Sequence, residues 1–244
     1  MERAVLHANG LVKSFRHRTA VNNVSLTVQQ SEIVGLLGPN GAGKTTTFRI
    51  ITGEIKATAG QIQLDNLDIT RLPMYRRARL GISYLPQEPS AFRGLTTKEN
   101  ILVPLEMNGF SKEEQKRRLE EVLESFDLRT RADVKAHDLS GGERRRLEVA
   151  RAFALRPRFM LLDEPFAGID PIAVEQLQKL VYRLKEEHVG VLITDHNVHE
   201  TLEITDRAYV IYEGKILVEG TPSEIIGHER ARNVFLGEQF RLRS

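Results

Sequence analysis

Cysteine is absent from the 244 residues of this chain. The chain therefore has no disulfide framework and no thiolate metal site, which fits a reducing compartment. Long apolar runs are missing too: none approaches the ~20 residues that a membrane-spanning helix needs, and the first residues lack the apolar segment of a signal peptide. We expect a cytosolic chain that meets a membrane only through a partner.

The chain also lacks a marked excess of positive or negative charge. The 35 Lys and Arg residues against 33 Asp and Glu residues leave a formal net charge of +2. Arginine-rich runs occur at residues 76–79, 116–118 and 144–146, and we interpret them as solvated helix faces because acidic residues are interspersed throughout. A nucleic-acid-binding protein concentrates basic charge on one surface, so nucleic acid is not expected as a partner.

The apolar pattern predicts an α/β fold. Alternating apolar and polar residues over 23–28 predict an antiparallel strand packed on one face. The unbroken apolar run Ile33–Leu37 predicts a strand buried on both faces of a parallel sheet. Apolar runs at 159–162 and 189–193 flank a helix at 174–187, which is the order of a parallel β-α-β unit.

Two further segments have a recognisable pattern. Residues 88–155 predict a helical insert, with a capping box that begins at Ser111. After residue 208 the pattern predicts a hairpin that turns at Glu213-Gly214, followed by a helix capped by Thr221. No internal repeat and no low-complexity linker divides the chain.

A phosphate-binding pattern follows the buried run Ile33–Leu37. It is the complete G-x-x-x-x-G-K-[ST] motif, formed by Gly38, Pro39, Asn40, Gly41, Ala42, Gly43, Lys44 and Thr45. Its glycines allow successive backbone N–H groups to surround a phosphate. We expect Lys44 to reach the β- and γ-phosphates, Thr45 to bind Mg²⁺ and Thr46 to contact the nucleotide. The N-K-x-D sequence that reads guanine is absent.

Two carboxylates end the apolar run 159–162. Asp163 lies where ligands bind in open α/β sheets, at the carboxyl end of a strand, and is the candidate Mg²⁺ partner. Glu164 is the candidate general base toward the attacking water. A solvated strand end is the alternative, which the phosphate-binding motif upstream disfavours.

The segment Leu139–Glu143 carries paired glycines at a helix start. Ser140 and Glu143 form a capping box. A capping box does not account for Gly141 and Gly142, which each weaken a helix by about 1 kcal/mol. They are expected where a backbone must approach something closely, and a bare helix N-terminus is a second anion site.

This order of motifs resembles the nucleotide-binding subunits of ABC transporters over essentially the whole chain. The resemblance implies one domain, 1–244, with the P-loop NTPase fold of an ABC ATPase. Its core of mostly parallel sheet would comprise 1–87 and 156–244, with an N-terminal antiparallel β subdomain, and its α-helical subdomain 88–155. It also implies Mg²⁺-ATP hydrolysis in a head-to-tail homodimer, in which Ser140, Gly141, Gly142 and Glu143 bind the ATP of the opposite subunit.

Other roles follow from the resemblance alone. Phe15 would stack on adenine, with a core aromatic as the alternative. Gln87 would sense Mg²⁺ and link the site to the membrane subunits. His196 would contact the γ-phosphate. Asp170 belongs to a loop, 167–170, that would carry signals across the dimer, or else forms an Asx turn. The remaining histidines are interpreted as structural or solvated: His7, His17, His137, His188, His199 and His228.

Several segments are more similar to the ATPase subunits of lipopolysaccharide-export transporters, among them 84–88, 163–172, 194–198 and the terminal Phe235-Leu236-Gly237-Glu238. This narrower resemblance implies a peripheral protein at the cytoplasmic face of the inner membrane. It would bind two membrane subunits near Gln87, Phe92 and Arg93, without touching the cargo. For Phe92, a buried core position is the alternative.

Three competing functions remain. A branched-chain amino-acid importer would typically have Glu in place of Asp195. A soluble ABC ATPase of translation or DNA repair would usually carry two cassettes or a long coiled-coil insert. A module that binds nucleotide without hydrolysing it is disfavoured by the presence of both Glu164 and His196.

Overall fold

The computed structural model describes residues 3–16, 18–237 and 240. Its ten strands are β1 Val5–Phe15, β2 Arg18–Gln29, β3 Ile33–Leu37, β4 Ala59–Leu64, β5 Leu67–Asp68, β6 Ile82–Leu85, β7 Phe159–Asp163, β8 Gly190–Thr194, β9 Arg207–Tyr212 and β10 Lys215–Gly220. The helices of the described residues are α1 Lys44–Thr52, α2 Met74–Arg79, α3 Thr97–Met107, α4 Lys112–Ser125, α5 Gly141–Phe153, α6 Pro171–Glu186, α7 Val198–Ile204, α8 Pro222–Gly227 and α9 Glu229–Ala231. Short 3₁₀ and π segments occupy Arg129–Arg131 and Arg232–Leu236.

His17 and Glu238, for which the sequence analysis made predictions, lie outside the described residues. Within the described part of the chain, no helix is both long and apolar enough to cross a membrane.

The strands form two sheets, as predicted. The antiparallel sheet has the order β2-β1-β4-β5, and the second sheet has the order β10-β9-β3-β8-β7-β6. In the second sheet only β10 is antiparallel to its neighbour. Strands β3, β7 and β8 are buried along their whole length, because helices and the antiparallel sheet cover the faces of this sheet.

Helix boundaries follow local capping chemistry. The predicted capping boxes at Ser111, Ser140 and Thr221 are all formed. Helix α6 begins at Pro171, three residues before the predicted start, because the Asp170 side chain accepts a hydrogen bond from the N–H of Ala173. Helices α3, α4 and α5 share an apolar cluster with β7. The subdomain boundaries at residues 88 and 155 remain a prediction.

The interpretation of the arginine-rich runs was wrong for one residue in each run. Arg77, Arg118 and Arg145 are only 2%, 4% and 7% exposed. Each guanidinium group donates to backbone carbonyls at the end of a helix or a strand. The last carbonyls of a helix have no partner within the helix, and a buried arginine supplies several donors at once.

Candidate functional site

The phosphate-binding loop joins β3 to α1 at the carboxyl edge of the parallel sheet. Gly38 has a φ of 150°, and a Cβ atom there would lie 2.1 Å from the carbonyl oxygen of Ile211. Gly43 has a φ of 113°, and its Cβ would lie 2.6 Å from the carbonyl oxygen of Ala20. A side chain at either position would collide with backbone, so both positions require glycine.

Lys44 lies inside this loop. The residue is only 6% exposed. Its Nζ donates to the carbonyl oxygens of Gly38 at 2.7 Å and Pro39 at 3.1 Å. Burial lowers the pKa of this ammonium group, and the carboxylates of Glu164, Asp163 and Asp195 oppose the shift. The loop therefore surrounds a cation that its own carbonyls hold in place.

Asp163 ends β7 and is 1% exposed. Its Oδ2 accepts a hydrogen bond from the Tyr84 hydroxyl at 3.1 Å. Its Oδ1 is buried and has no hydrogen-bond partner among the described residues, and neither does the hydroxyl of Thr194 on the neighbouring strand. Burial raises the pKa of Asp163 to about 6, although the hydrogen bond from Tyr84 and the charges of Lys44 and Arg145 lower it. These partners therefore compensate the burial of the charged form only in part.

These residues fit Mg²⁺. An orphaned buried carboxylate oxygen favours a cation, and Thr45 in the first turn of α1 adds an exposed hydroxyl. Mg²⁺ takes oxygen ligands, keeps several waters and needs only one or two protein carboxylates. No group of three or more His, Asp or Glu side chains suited to a metal occurs in the part of the chain that the structure describes, so a dedicated all-protein cage is not what this site offers.

Glu164 follows directly and has an unusual backbone. Its φ is 47°, in the left-handed region, and its N–H donates to the carbonyl of Thr194 at 2.7 Å. Its Oε2 accepts a hydrogen bond from Nε2 of Gln87 at 2.7 Å. Left-handed backbone at a non-glycine residue costs on the order of 1 kcal/mol, so the surrounding structure fixes this conformation.

His196 lies beside Glu164. Its Nδ1 is 3.5 Å from Oε2 of Glu164 and 3.4 Å from Oδ1 of Asp195. Asp195 is fully buried and accepts hydrogen bonds from the N–H groups of Phe166 and Asn197. Burial raises the pKa of Asp195, while the two N–H groups lower it. The structure thus brings Gln87, Glu164 and His196 together, as the motif order predicts.

A profile of the ABC transporter family matches residues 21–167. The chain belongs to the ABC transporter family. It is an ATPase subunit of this family, and its fold is the predicted one.

Individual ABC proteins are similar over nearly the whole chain. The chain is 52% identical over 238 residues to the lipopolysaccharide export system ATP-binding protein LptB of Acidithiobacillus ferridurans. The matched region covers 98% of this chain and 99% of that protein. A crystal structure of the ADP conformation of an ABC-transporter ATP-binding cassette matches with a TM-score of 0.87 and 28% identity, over 98% of this chain and 100% of the other. A dimeric cassette in a post-hydrolysis state, bound to ADP and Pi, matches with a TM-score of 0.79 and 27% identity, over 89% of this chain and 98% of the other.

The ABC signature segment, Leu139–Glu143, starts helix α5. Ser140 and Glu143 bond to each other's backbone N–H groups, and Glu143 also accepts a hydrogen bond from Arg131 at 2.7 Å. A Cβ atom on Gly142 would lie 2.6 Å from Cβ of Ala173, whereas one on the exposed Gly141 would meet Cγ2 of Ile169 at an ordinary contact distance of 4.0 Å. The close approach predicted for the paired glycines is therefore, for Gly142, an approach to helix α6.

Phe15 is 48% exposed at the end of β1. The Nζ atom of Lys13 lies 5.1 Å from the centre of its ring. The alternative that Phe15 is a core aromatic is wrong, because about half of the residue is accessible to solvent.

Phe92 is also exposed, at 47%, so the alternative of a core position is wrong for it as well. The guanidinium of Arg151 lies 5.0 Å from the centre of its ring. Phe92 borders a cavity of about 320 Å³, which is lined by Ser83, Tyr84, Leu85, Ser90, Phe92, Val103, Pro104, Met107, Glu148, Arg151, Ala152 and Leu155. We call this cavity the β6–α3 groove. Its apolar walls suit a protein segment.

Sequence reasoning missed a buried ion pair that connects the groove to the catalytic strand. Arg145 donates to the carbonyls of Asp163 and Pro86 and binds Glu148 at 3.0 Å. Glu148 in turn accepts from the N–H of Ser90 at 2.6 Å, beside the groove. The only signal in the sequence was the i,i+3 spacing of the pair among the apolar residues of α5.

Proposed function

We propose that the chain is the ATP-hydrolysing subunit of a lipopolysaccharide-export ABC transporter. The observation that carries the enzymatic part is the convergence of Lys44, Asp163, Glu164 and His196 at one sheet edge. The name of the relative that is 52% identical over nearly the full chain supports the choice of transporter. Asp195, where an importer ATPase would typically have Glu, agrees with this choice.

The phosphate-binding loop would hold the nucleotide. Backbone N–H groups of residues 38–45 and the Lys44 ammonium would face the phosphates, while Phe15 would stack on adenine. Lys44 would exchange its contacts with the carbonyls of Gly38 and Pro39 for contacts with phosphate oxygens. Because Nζ of Lys44 already lies inside the loop, this exchange would need only a local movement of its side chain.

The residues that would hold Mg²⁺ are Thr45, Gln87 and Asp163. Asp163 would do so through a water molecule, because it is deeply buried. Mg²⁺, when bound, supplies neutralisation of the charge on the phosphates. Glu164 would accept the proton of the attacking water, and His196 would orient the γ-phosphate and that water. The 3.5 Å between Nδ1 of His196 and Oε2 of Glu164 supports a joint action of both side chains on one reacting group.

The active unit would be a homodimer with two ATP molecules at its interface. The signature segment of one subunit, Ser140–Glu143, would face the γ-phosphate bound by the other. Two features support this arrangement: the N-terminus of the 13-residue helix α5 favours anions, and a cassette of the same fold crystallised as a dimer with ADP and Pi.

Membrane subunits would dock at the β6–α3 groove. Phe92 lines this groove, Arg93 follows it in the chain, and Gln87 follows the lining residue Leu85 by two positions. The buried pair Arg145–Glu148 connects the groove to the strand that precedes Glu164. Docking there would place the chain at the cytoplasmic face of the inner membrane, as a peripheral protein without direct contact with the cargo.

Replacing Glu164 with Gln tests the enzymatic assignment. The amide cannot accept the proton of water, so the rate of ATP hydrolysis should fall about 10²–10⁴-fold, while ATP binding persists. The variant should accumulate as an ATP-bound dimer, which size-exclusion chromatography with and without ATP detects. Glu187→Gln, at an exposed position, is the matched control. Near-normal turnover of Glu164→Gln would show that another residue is the base.

A further inference from the structure

Strand β6 and the residues after it supply a donor to each of the two adjacent carboxylates. The hydroxyl of Tyr84 donates to Oδ2 of Asp163 at 3.1 Å, and the amide of Gln87 donates to Oε2 of Glu164 at 2.7 Å. Glu164 and Gln87 have roles in ATP hydrolysis in the proposed function, whereas Tyr84 has none there beyond lining the β6–α3 groove. The Tyr84 hydroxyl nevertheless donates the hydrogen bond that the side chain of Asp163 accepts.

The two oxygens of Asp163 differ because of this contact. Oδ2 is engaged by Tyr84, whereas Oδ1 is buried and without a hydrogen-bond partner among the described residues. A carboxylate can rotate about its last torsion, and that torsion is broad. A donor on one oxygen fixes the rotation and leaves the other oxygen in a defined position.

Tyr84 is itself held firmly. Its backbone pairs with Leu161 in the parallel ladder between β6 and β7, and its ring packs against the apolar cluster that includes Phe48 of α1. A tyrosine side chain has only two main torsions, so a packed ring places its hydroxyl with little freedom. The hydroxyl therefore has a fixed position next to a carboxylate whose other oxygen has no hydrogen-bond partner among the described residues.

We propose that Tyr84 is a positioning residue for Mg²⁺ binding: its hydroxyl holds the Asp163 carboxylate so that Oδ1 is presented to the ion. The inference rests on the proposed function, because it requires that Asp163 serves a magnesium–nucleotide complex. It goes further by assigning a role to a tyrosine on the strand that leads to Gln87. The ring of Tyr84 supplies packing, and the hydroxyl alone supplies orientation.

The test removes only the hydroxyl, with Tyr84→Phe. Binding of a non-hydrolysable ATP analogue to the full chain is measured by calorimetry across a titration of Mg²⁺, and again in excess EDTA. The half-saturating Mg²⁺ concentration should rise about tenfold, the factor expected for losing a hydrogen bond to a charged group. Affinity for the analogue in EDTA should stay within about twofold, because packing around the phosphate-binding loop is unchanged.

Two comparisons test whether the change in Mg²⁺ dependence comes from the contact between Tyr84 and Asp163. Tyr209→Phe removes another buried tyrosine hydroxyl, which bonds to the N–H of Thr27 and to Arg207, and should leave the Mg²⁺ dependence unchanged. In an Asp163→Asn background, Tyr84→Phe should cause no further change, since the charged carboxylate that it orients is gone. An equal tenfold effect in both backgrounds would overturn the proposal.

The outcomes separate the inference from the proposed function. Wild-type protein that binds the analogue no better with Mg²⁺ than with EDTA would refute the magnesium site and with it the proposed function. A normal wild-type response with an unchanged or lower half-saturating Mg²⁺ concentration in Tyr84→Phe would refute only the role of Tyr84. If Tyr84→Phe has a lower melting temperature than wild type, a second measurement gives the same answer. For each protein, the increase in melting temperature on adding Mg²⁺ and the analogue is determined. An increase in Tyr84→Phe equal to that of wild type refutes the role of Tyr84.

Discussion

Asp163 is a charged group at a place where water has little access. Its ordinary pKa is 3.8, and burial raises it to about 6. Between these two values the folded chain holds a proton that the unfolded chain has released. The free energy of unfolding therefore falls as the pH rises from about 4 to 6, and stays lower above pH 6. Above pH 6 the charged Asp163 carboxylate therefore lowers the free energy of unfolding, and a bound cation would offset this loss.

Asp163→Asn should consequently stabilise the protein when Mg²⁺ and nucleotide are absent. At pH 8 we expect a gain on the order of 1–3 kcal/mol in the free energy of unfolding, since the neutral amide can still accept the hydrogen bond of Tyr84. The gain should disappear below about pH 4. Urea unfolding at both pH values measures it, with the exposed Asp138→Asn as control. A less stable Asp163→Asn at pH 8 would contradict the assignment of a buried charge that its partners compensate only in part.

Single residues were predictable where a motif names them. Lys44, Asp163 and Glu164 stand in fixed patterns, and the structure places them at one sheet edge. Tyr84, Arg145 and Glu148 belong to no such pattern. Arg145 bonds to Pro86, 59 positions earlier, and a contact of that kind depends on the finished fold.

Helices and strands were predictable to the extent that their signals are local. The capping boxes at Ser111, Ser140 and Thr221 need only four consecutive residues, and all three are formed. A run of arginines carries no comparable signal. Arg117 is exposed and Arg118 is buried, although the two are adjacent and chemically identical. What separates them is the C-terminus of α5, whose carbonyls at Phe153 and Ala154 face Arg118.

These adjacent arginines give a matched pair for mutation. Arg118→Met should lower the free energy of unfolding by about 1–3 kcal/mol, because two buried carbonyls lose their donor. Arg117→Met should change it by less than about 0.5 kcal/mol. Urea denaturation of both variants, with circular dichroism as the probe, decides between them. Equal effects would mean that the carbonyls at the end of α5 do not depend on Arg118.

At the scale of the molecule, the strand order creates the site. The order β10-β9-β3-β8-β7-β6 brings together the carboxyl ends of the strands that precede Lys44, Gln87, Glu164 and His196. The sequence predicted a mostly parallel sheet, but periodicity contains no information on which strands are neighbours. The order depends on crossovers between distant segments, such as the pairing of Leu85 with Leu162.

The groove on the surface yields a prediction about assembly. Arg93→Glu reverses a charge beside Phe92 and should weaken co-purification with the membrane subunits from detergent-solubilised membranes. Mass spectrometry of the captured proteins measures the loss and identifies the partners. Arg117→Glu makes the same charge change on α4, at an exposed position, and should have no effect. Co-purification of Arg93→Glu at the wild-type level would remove Arg93 from the docking surface.

The 2.7 Å contact between Gln87 and Glu164 can also be regarded as an interlock. While the amide donates to this carboxylate, one of the oxygens that would accept a proton from water is occupied. Gln87 follows the strand that borders the β6–α3 groove, so movement at the groove and release of Glu164 involve the same segment. A partner that moved this segment would therefore act on the general base through a single hydrogen bond.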